Sequence, residues 1–287
     1  MKLRIAYRTE YEYGALVSFS PHLFRLFPRT EFGVRIRSQH FQTNASAVTS
    51  YRRDVFDNPI ASVFYPDLGE KLIVSLDLWL SIEPRNAFNF LLESRALNFP
   101  FAYTAEESAA LVPFLTGQSD KSDLPLPFWP EPPEGASTME TLLSLNRAIH
   151  EHIAYTPRAE GEARTPEETV RLACGSCRDY AVLLAAVLRR YGVASRLVSG
   201  FLLETGDPGK HVAQNAMHAW VEAYLPGAGW VGFDPTNGYL CNHHHIATAV
   251  GVNPAQITPI LGTFYSNPGT QVIPTMTATL EVTPDQE

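Results

Sequence analysis

Residues 174 to 190, CGSCRDYAVLLAAVLRR, place two cysteines directly before a long apolar run. From Cys177 to Tyr191 nearly every position except the arginines and Asp179 is apolar or aromatic, and Gly192 follows. This pattern predicts a buried helix that begins at Cys177 and stops before the glycine. A thiol in the first turn of a helix lies at the positive end of the helix dipole, which stabilises the thiolate. The stretch therefore suggests a reactive cysteine, with a redox pair or half of a metal site as alternatives.

Two further polar residues follow in segments that have the composition of strands. ASRLVSGFLLE, HAWVEAYLP and GWVGFDP are rich in β-branched and aromatic residues and are separated by glycine-containing turns. If the last two form a hairpin near Gly227, His218 and Asp234 come to lie side by side. A thiolate that attacks a carbonyl needs a neighbouring acid/base, and that base needs an orienting partner. Cys177, His218 and Asp234 are therefore the candidate catalytic set.

The rest of the chain divides by texture into three segments. Residues 1–85 are predicted to be a β-rich domain, because LIVSLDLWLSI at 72–82 alternates strictly and the neighbouring segments are short and aromatic. Residues 86–137 are predicted to be a linker or lid, with a helical patch (AEESAALVPFL) and five prolines between positions 125 and 133. Residues 138–287 are predicted to form the catalytic core and a C-terminal strand, opening with a helix whose N-cap is provided by Ser137-Thr138. The expected fold class is α+β.

Composition excludes several function classes. The chain of 287 residues is 45% hydrophobic and 18% charged, as is typical of a soluble globular protein, and no apolar stretch is long enough to cross a bilayer. The first residues, MKLRIAYRTEYEY, lack the apolar core of a signal peptide, so a cytoplasmic location is expected. A net charge of -8 argues against a nucleic-acid partner. Three cysteines cannot form a disulfide framework, so free thiols are expected.

The ordered motifs GSCRDYAVLLAAVLRRYGVASRLVSGF and HAWVEAYLPGAGWVGFDPTNG resemble the core of the transglutaminase-like superfamily, over roughly residues 138–262. Segments YEYGALVSFSPHLFRLFPR and DVFDNPIASVFY resemble the β-rich domain that precedes this core in bacterial members. The resemblance implies an antiparallel β-sandwich-like domain followed by a papain-like core, in which a helix bearing the cysteine packs on an antiparallel sheet. It also implies thiol-dependent acyl transfer on a peptide or protein amide, with Cys177 as nucleophile, His218 as general base/acid and Asp234 as orienting carboxylate. Neither a cofactor nor a metal is expected.

One position and one short segment depart from the pattern of the bacterial relatives. Arg178 follows the nucleophile where glutamine is common. The segment HIATAVGVNPAQITP keeps Gly251 but has Val-Asn-Pro at 252–254, where the relatives carry charged and aromatic residues. A contribution of this segment to substrate binding is therefore not carried over.

Other residues have a functional and a plain structural interpretation. A redox pair of Cys174 and Cys177 is disfavoured, because TPEETVRLA in front of it is helical in pattern, and Cys174 is taken as a bystander. The run His243–His245 near Cys241 is interpreted as solvated loop histidines, since adjacent side chains point in different directions. Tyr155 is a candidate hydroxyl donor to the oxyanion or a packing aromatic, and Trp220 a packing residue or a shield for the imidazole.

These observations favour a cysteine enzyme that cleaves or exchanges an amide bond through a thioester. Hydrolysis is preferred to transamidation, and the absence of a calcium loop of the Asp-x-Asp-x-Asp-Gly kind disfavours a calcium-switched crosslinking enzyme. The alternative is a non-catalytic peptide-binding module with the same fold. The sequence does not indicate the substrate or the oligomeric state.

Overall fold

A computed structural model describes residues 1–116, 126–158, 161–203, 216–269 and 271–285. The N-terminal part contains strands only. These are β1 (Lys2–Phe19), β2 (His22–Phe24), β3 (Val34–Thr43), β4 (Val48–Arg53), β5 (Pro59–Phe64) and β6 (Gly69–Ile82). The alternation read from the sequence is confirmed in β6, which buries every second side chain. The buried residues are Leu72, Val74, Leu76, Leu78, Leu80 and Ile82.

Short strands and helices alternate in the middle of the chain. They are a 3-10 helix (Ser94–Ala96), β7 (Asn98–Phe99), α1 (Ala105–Leu115), β8 (Ala136–Ser137), α2 (Thr138–His152), β9 (Ala154–Tyr155), α3 (Pro166–Leu172), β10 (Cys174–Gly175) and α4 (Cys177–Arg190). Helix α2 begins where the sequence predicted, because the Ser137 hydroxyl accepts a hydrogen bond from the backbone N–H of Glu140. Helix α4 ends at Arg190, and Gly192, two residues further on, has a φ of 74°, which favours glycine.

Strands dominate the last part of the chain. They are β11 (Ser195–Leu202), β12 (Ala216–Leu225), β13 (Gly229–Asp234), β14 (Tyr239–Leu240), β15 (His245–Gly251), β16 (Ile260–Leu261), β17 (Phe264–Tyr265) and β18 (Thr275–Pro284), with α5 (Pro254–Ile257) after β15. Five of these strands form an antiparallel sheet in the order β14-β13-β12-β11-β15. The hairpin predicted around Gly227 is confirmed, since β12 pairs with β13 from Val221↔Phe233 to Leu225↔Gly229.

Helix α4 packs on this sheet and provides much of the core beneath it. Its apolar side chains, including Leu184 and Leu188, lie in one buried cluster with Val221 and Phe233 of the sheet. The predicted α+β fold, in which a cysteine-bearing helix packs on an antiparallel sheet, is confirmed.

The N-terminal strands form two antiparallel sheets that enclose a second core. One sheet has the order β17-β1-β6-β3, with β18 also paired to β1, and the other has the order β16-β2-β5-β4. The C-terminal strand β18 lies within the predicted segment 138–287, yet it pairs with β1 from Leu3↔Pro284 to Glu12↔Thr275. The end of the third predicted segment therefore packs with the first segment and not with the rest of its own. The predicted domain boundaries stay a prediction.

The two cores meet at one end of the five-stranded sheet β14-β13-β12-β11-β15. Phe201, Leu203 and Ile246 belong to the cluster that fills the N-terminal sheets, and the ring of Phe201 lies 6.1 Å from that of Tyr7. In the proline-rich segment, residues 126–135 contain neither helix nor strand, while residues 117–125 lie outside the described part. Among the described helices, none combines the length and the apolar character needed to span a membrane.

Candidate active site

Cys177 is the first residue of α4, and a buried carboxylate holds this helix end in place. Asp179 is 0% exposed and accepts hydrogen bonds from the backbone N–H and the hydroxyl of Ser176 at 2.8 and 3.1 Å. It also accepts from the backbone N–H of Arg164 at 2.8 Å and from the guanidinium of Arg158 at 2.7 Å. The helix start and the loop before it are thus fixed to the same side chain, which positions the thiol.

His218 and Asp234 lie beside each other at the open end of the β12–β13 hairpin. His218 Nε2 is 2.9 Å from Asp234 Oδ2, and both side chains are buried. The other ring nitrogen, Nδ1, is also buried and forms no regular hydrogen bond with any described residue. Because Nε2 is taken by the carboxylate, Nδ1 is the nitrogen available to the Cys177 thiol.

The turn that follows Asp234 completes the surroundings of its carboxylate. The backbone N–H groups of Thr236 and Asn237 donate to Oδ1 at 3.0 and 3.2 Å, and the side-chain amide of Asn237 donates to Oδ2 at 2.8 Å. Burial alone would raise the pKa of Asp234, but His218 and His245 lower it far below the usual value for a carboxyl group. The carboxylate is therefore ionised throughout the range in which an enzyme operates.

The same contacts displace the pKa values of the other two candidates. Burial would lower the pKa of His218, but the charge of Asp234 and the interaction with Cys177 raise it well above 6.5. Burial would raise the pKa of the Cys177 thiol, yet its interactions with His218 and with the backbone N–H of Ala219 lower it below the ordinary value. These directions correspond to a thiolate next to an imidazolium.

Tyr155 and Trp220, the two further candidates, both lie near this group. Burial raises the pKa of Tyr155 to about 12, and the negative charges of Cys177 and Asp234 contribute, so its hydroxyl stays protonated and able to donate. Trp220 is 2% exposed, and its ring lies 6.2 Å from that of His218. The oxyanion role of Tyr155 and the shielding role of Trp220 stay predictions.

The interpretation of His243–His245 as solvated loop residues is wrong for its last member. His243 and His244 are partly exposed, but His245 is 6% exposed and begins the fully buried strand β15. Its Nε2 lies 3.1 Å from Asp234 Oδ2, so it belongs to the site. The sequence signal for its burial was the apolar segment IATAV that follows it. This segment predicts a buried strand, and the first residue of a buried strand is itself buried.

The remaining cysteines have different surroundings. All three cysteines are free thiols. Cys174 is half-buried, and Arg164 Nη1 donates to its carbonyl oxygen at 2.8 Å and lies 3.5 Å from its sulfur. Burial raises the pKa of Cys241 well above the usual value, and nearby carboxylates add to the rise. Over the described residues, no group of three or more His, Cys, Asp or Glu side chains has an arrangement suited to a metal ion.

Comparison with known proteins agrees with this architecture. Residues 132–235, which include all three candidates, match the family described as the transglutaminase-like superfamily. Residues 3–80 match the bacterial transglutaminase-like N-terminal region. The chain belongs to the transglutaminase-like superfamily. The first match runs from β8 to β13, and the second covers β1 to β5 and most of β6.

Relatives of the chain include proteins with and without a described activity. An uncharacterized protein of Mycobacterium tuberculosis is 27% identical over 288 residues, which covers 95% of this chain and 90% of the relative. A protein-glutamine gamma-glutamyltransferase of Pseudomonas aeruginosa is 37% identical over 97 residues, which covers 32% of this chain and 14% of the relative. The second similarity is confined to part of the chain.

A solved structure shows the same fold over the whole chain. The crystal structure described as "a Putative Cysteine Protease from Cytophaga hutchinsonii" has a TM-score of 0.73 with 17% identity, and the alignment covers 100% of this chain and 92% of the other. At this identity the similarity shows the fold alone. The arrangement of N-terminal sheets and transglutaminase-like core is thus shared with another protein.

Proposed function

We propose that the chain is a cysteine enzyme that hydrolyses an amide or peptide bond through a thioester on Cys177. The observation that carries the proposal is the buried contact of His218 with Asp234, which leaves His218 Nδ1 available to Cys177 at the start of a buried helix, where the interaction with His218 lowers the pKa of the thiol. This combination of activated sulfur, acid/base and orienting carboxylate supports nucleophilic catalysis.

In the first half of the reaction the Cys177 thiolate attacks the carbonyl carbon of the substrate. The carbonyl oxygen becomes an oxyanion, and in this proposal the N-terminus of α4 and the hydroxyl of Tyr155 stabilise it. His218 then gives its proton to the nitrogen of the leaving amine, the C–N bond breaks, and a thioester remains on the sulfur. Asp234 keeps the imidazole oriented and stabilises its charged form.

In the second half a water molecule resolves the thioester. Neutral His218 takes a proton from the water as the oxygen attacks, the C–S bond breaks, and the acid product leaves with the thiolate restored. An amine in place of water would give transamidation by the same steps. Water is far more abundant than any amine acceptor unless the site excludes it, so we take water as the acceptor.

The substrate class is part of the proposal, and the name of one relative supports it. The family includes a protein-glutamine gamma-glutamyltransferase, whose name describes a glutamine amide of a protein as the acyl donor. A peptide or protein carboxamide is accordingly the proposed substrate. The expected cytoplasmic location belongs to the same proposal and is tested by fractionation of cells that express the chain.

Alkylation with iodoacetamide, followed by peptide mapping, tests the activated thiol without a known substrate. We expect Cys177 to react well below pH 8 while Cys241 stays slow, because burial raises the pKa of Cys241. His218→Gln should slow the labelling of Cys177 alone. Equal and slow labelling of all three cysteines, insensitive to His218, would contradict the proposal and leave the peptide-binding module.

A peptide library in ¹⁸O-labelled water with a fluorescent primary amine then separates the two acceptors. Hydrolysis places ¹⁸O in the new carboxyl group, whereas transamidation attaches the amine. We expect ¹⁸O incorporation that disappears in Cys177→Ala. Predominant amine incorporation would replace hydrolysis by transamidation, and turnover that persists in Cys177→Ala would exclude Cys177 as the nucleophile.

A further inference from the structure

Two histidines donate toward the same oxygen atom of Asp234. His218 Nε2 and His245 Nε2 lie 2.9 and 3.1 Å from Oδ2, and both rings are buried. The Cys-His-Asp set of the proposed function uses only the first of them. A second buried imidazole on the same carboxylate therefore needs its own explanation.

The second ring nitrogen of each histidine has a different environment. In His245, Nδ1 accepts a hydrogen bond from the backbone N–H of Asn242 at 3.3 Å. A backbone N–H can only donate, so this nitrogen must offer its lone pair, and the proton of a neutral ring is placed on Nε2. In His218, Nδ1 has no such donor and faces the thiol side of the site. The backbone thus makes one histidine a fixed neutral donor and leaves the other free to take a second proton.

The surroundings of His245 fix its ring in this position. The ring is edge-on to Trp220 at 5.3 Å and to Tyr239 at 5.9 Å between centroids, with interplanar angles of 79° for both pairs. The backbone N–H of His245 donates to the carbonyl of Asn242 at 3.0 Å, which closes the turn that supplies the Nδ1 donor. Asp234, His218 and Tyr239 are titratable groups that face the ring.

We propose that His245 is a positioning residue of the active site, which holds the Asp234 carboxylate as a neutral donor and shares its charge, so that His218 can release its proton to the leaving group. The inference rests on the proposed function. A carboxylate that served His218 alone would bind the imidazolium proton more tightly and make it a poorer acid. A hydrogen bond from neutral His245 weakens the interaction between the Asp234 carboxylate and the His218 proton, and it adds no positive charge.

Nitrogen-15 NMR of the full chain with labelled histidine tests the tautomer directly. The signals of His245 are identified as those that disappear in His245→Gln. We expect them to be those of a neutral ring that carries its proton on Nε2, and we expect no change in them between about pH 5 and 8. A doubly protonated ring, or one protonated on Nδ1, would overturn the proposal. This readout does not depend on turnover, so it stays valid if no substrate is hydrolysed.

The pH dependence of Cys177 alkylation tests the shared charge. In His245→Leu, which removes the donor at similar volume, we expect the midpoint to move down by about one pH unit, since a hydrogen bond to a charged group has about that effect. For a peptide substrate, kcat should fall about tenfold with KM unchanged, because proton release to the leaving group is impaired. His245→Gln, which restores an N–H donor, should return both values toward the wild type.

His243→Ala is the matched control, because it removes a partly exposed imidazole two residues away. It should leave midpoint and kcat unchanged. An unchanged or raised midpoint in a folded His245→Leu, or no recovery in His245→Gln, would overturn the proposal. If His245→Leu does not fold, the proposal is tested by the tautomer of His245 from NMR and by the midpoint of Cys177 alkylation in His245→Gln. Loss of activated labelling in the wild type itself would contradict the proposed function instead.

Discussion

At the scale of single residues, the side chain of Asp234 organises the site. It is 0% exposed, and its oxygens accept from two imidazoles, one side-chain amide and two backbone N–H groups. Five donors around one carboxylate are enough to offset the cost of burying its charge. The charge that results is what raises the pKa of His218 and, through it, lowers the pKa of Cys177.

Asp234→Asn removes this charge at nearly constant shape. The pKa of His218 should then fall toward its ordinary value, and the pKa of the Cys177 thiol should rise, because the imidazolium that lowers it is no longer stabilised. We expect the alkylation midpoint of Cys177 to move up by at least about one pH unit. Asp77→Asn, which breaks a surface pair with Arg4, is the control and should have no effect. A midpoint that stays in place would show that Asp234 does not act on the thiol.

The sequence predicted the residues of the site in part. His218 and Asp234 could be paired because they flank one hairpin, and hairpin pairing depends on neighbouring residues. His245 was misjudged because the three histidines themselves do not show which one turns inward, and only the apolar segment IATAV after them indicates it. That choice depends on the pairing of β15 with β11, where Leu202 lies opposite His245. Such a contact joins strands more than forty positions apart.

At the scale of secondary structure, the start of α4 depends on Asp179. Asp179→Ala should lower the free energy of unfolding by about 3 kcal/mol, because Arg158 and the N–H groups of Ser176 and Arg164 lose a buried partner. Chemical denaturation measures this change. The labelling of Cys177 should slow in the same variant, since the helix end no longer holds the sulfur in place.

Glu140→Ala is the matched control for Asp179→Ala. Glu140 occupies the same third position of α2, but its side chain is exposed. Its loss should cost less than about 1 kcal/mol and leave Cys177 unaffected. Similar losses in the two variants would mean that Asp179 is an ordinary helix-start residue.

Strand β11 comes close to its neighbours at Gly200. A methyl group there would overlap the carbonyl oxygen of Ile246 and lie 2.7 Å from the ring of Trp220. Gly200→Ala should therefore lower the free energy of unfolding by about 3 kcal/mol or more and reduce Cys177 labelling, because β15 and Trp220 must move. Thermal unfolding and alkylation measure both effects.

Gly14→Ala separates steric overlap from backbone strain. Gly14 has a φ of 66° but no atom within 4 Å of an added methyl group. We expect a loss of only about 1 kcal/mol there. A loss in Gly200→Ala no larger than this would argue against the close approach of β15.

Local pattern was sufficient for most of the elements. The apolar run of α4, the N-cap of α2 and the alternation of β6 each depend on residues within one turn or one strand, and all three are confirmed. Two-residue strands such as β9 and β10 were not predicted. They exist only because Cys174 lies opposite Ala154 in the folded chain, a contact that no local pattern encodes.

At the scale of the whole molecule, the buried side chain of Asn58 contributes to joining the N-terminal sheets to β15, the edge strand of the sheet β14-β13-β12-β11-β15. Asn58 is 0% exposed, its amide donates to the carbonyl of Val250 at 2.7 Å, and its oxygen accepts from the backbone N–H of Val250 at 2.8 Å. The side chain thus replaces a neighbouring strand at the outer edge of β15. Arg29 donates to the same oxygen.

Asn58→Ala should destabilise both parts of the molecule together. It leaves the two backbone groups of Val250 buried without partners, and about 2 to 5 kcal/mol is expected for such a loss. We expect calorimetry to show one transition at a lower temperature, because the two regions share a core at Phe201 and Ile246. Two separate transitions would contradict this coupling.

Asn44→Ala is the matched control, since Asn44 makes the same pair of backbone contacts. It donates to the carbonyl of Lys71 and accepts from the N–H of Ile73 at 2.8 and 2.9 Å, but it is half-buried and lies within the N-terminal sheets. Water can replace these contacts, so the loss should be smaller than in Asn58→Ala.

The long-range arrangement could not be predicted from the sequence. The alternation of residues 275–284 is compatible with any open strand edge, and its pairing with β1 joins positions more than 260 residues apart. No pattern of neighbouring residues specifies a contact over such a distance along the chain. The partner of β18 is therefore determined only when the whole molecule folds.

The pairing of β1 with β18 also makes the fold nearly circular. The backbone N–H of Asp285 donates to the carbonyl of Lys2 at 3.0 Å, so residues 2 and 285 are neighbours in space. A short peptide between them would close the backbone into a ring with little disturbance of the sheet. New termini could then be opened in a surface turn, and such a permuted chain would carry the same sheets and the same site in a different order of synthesis.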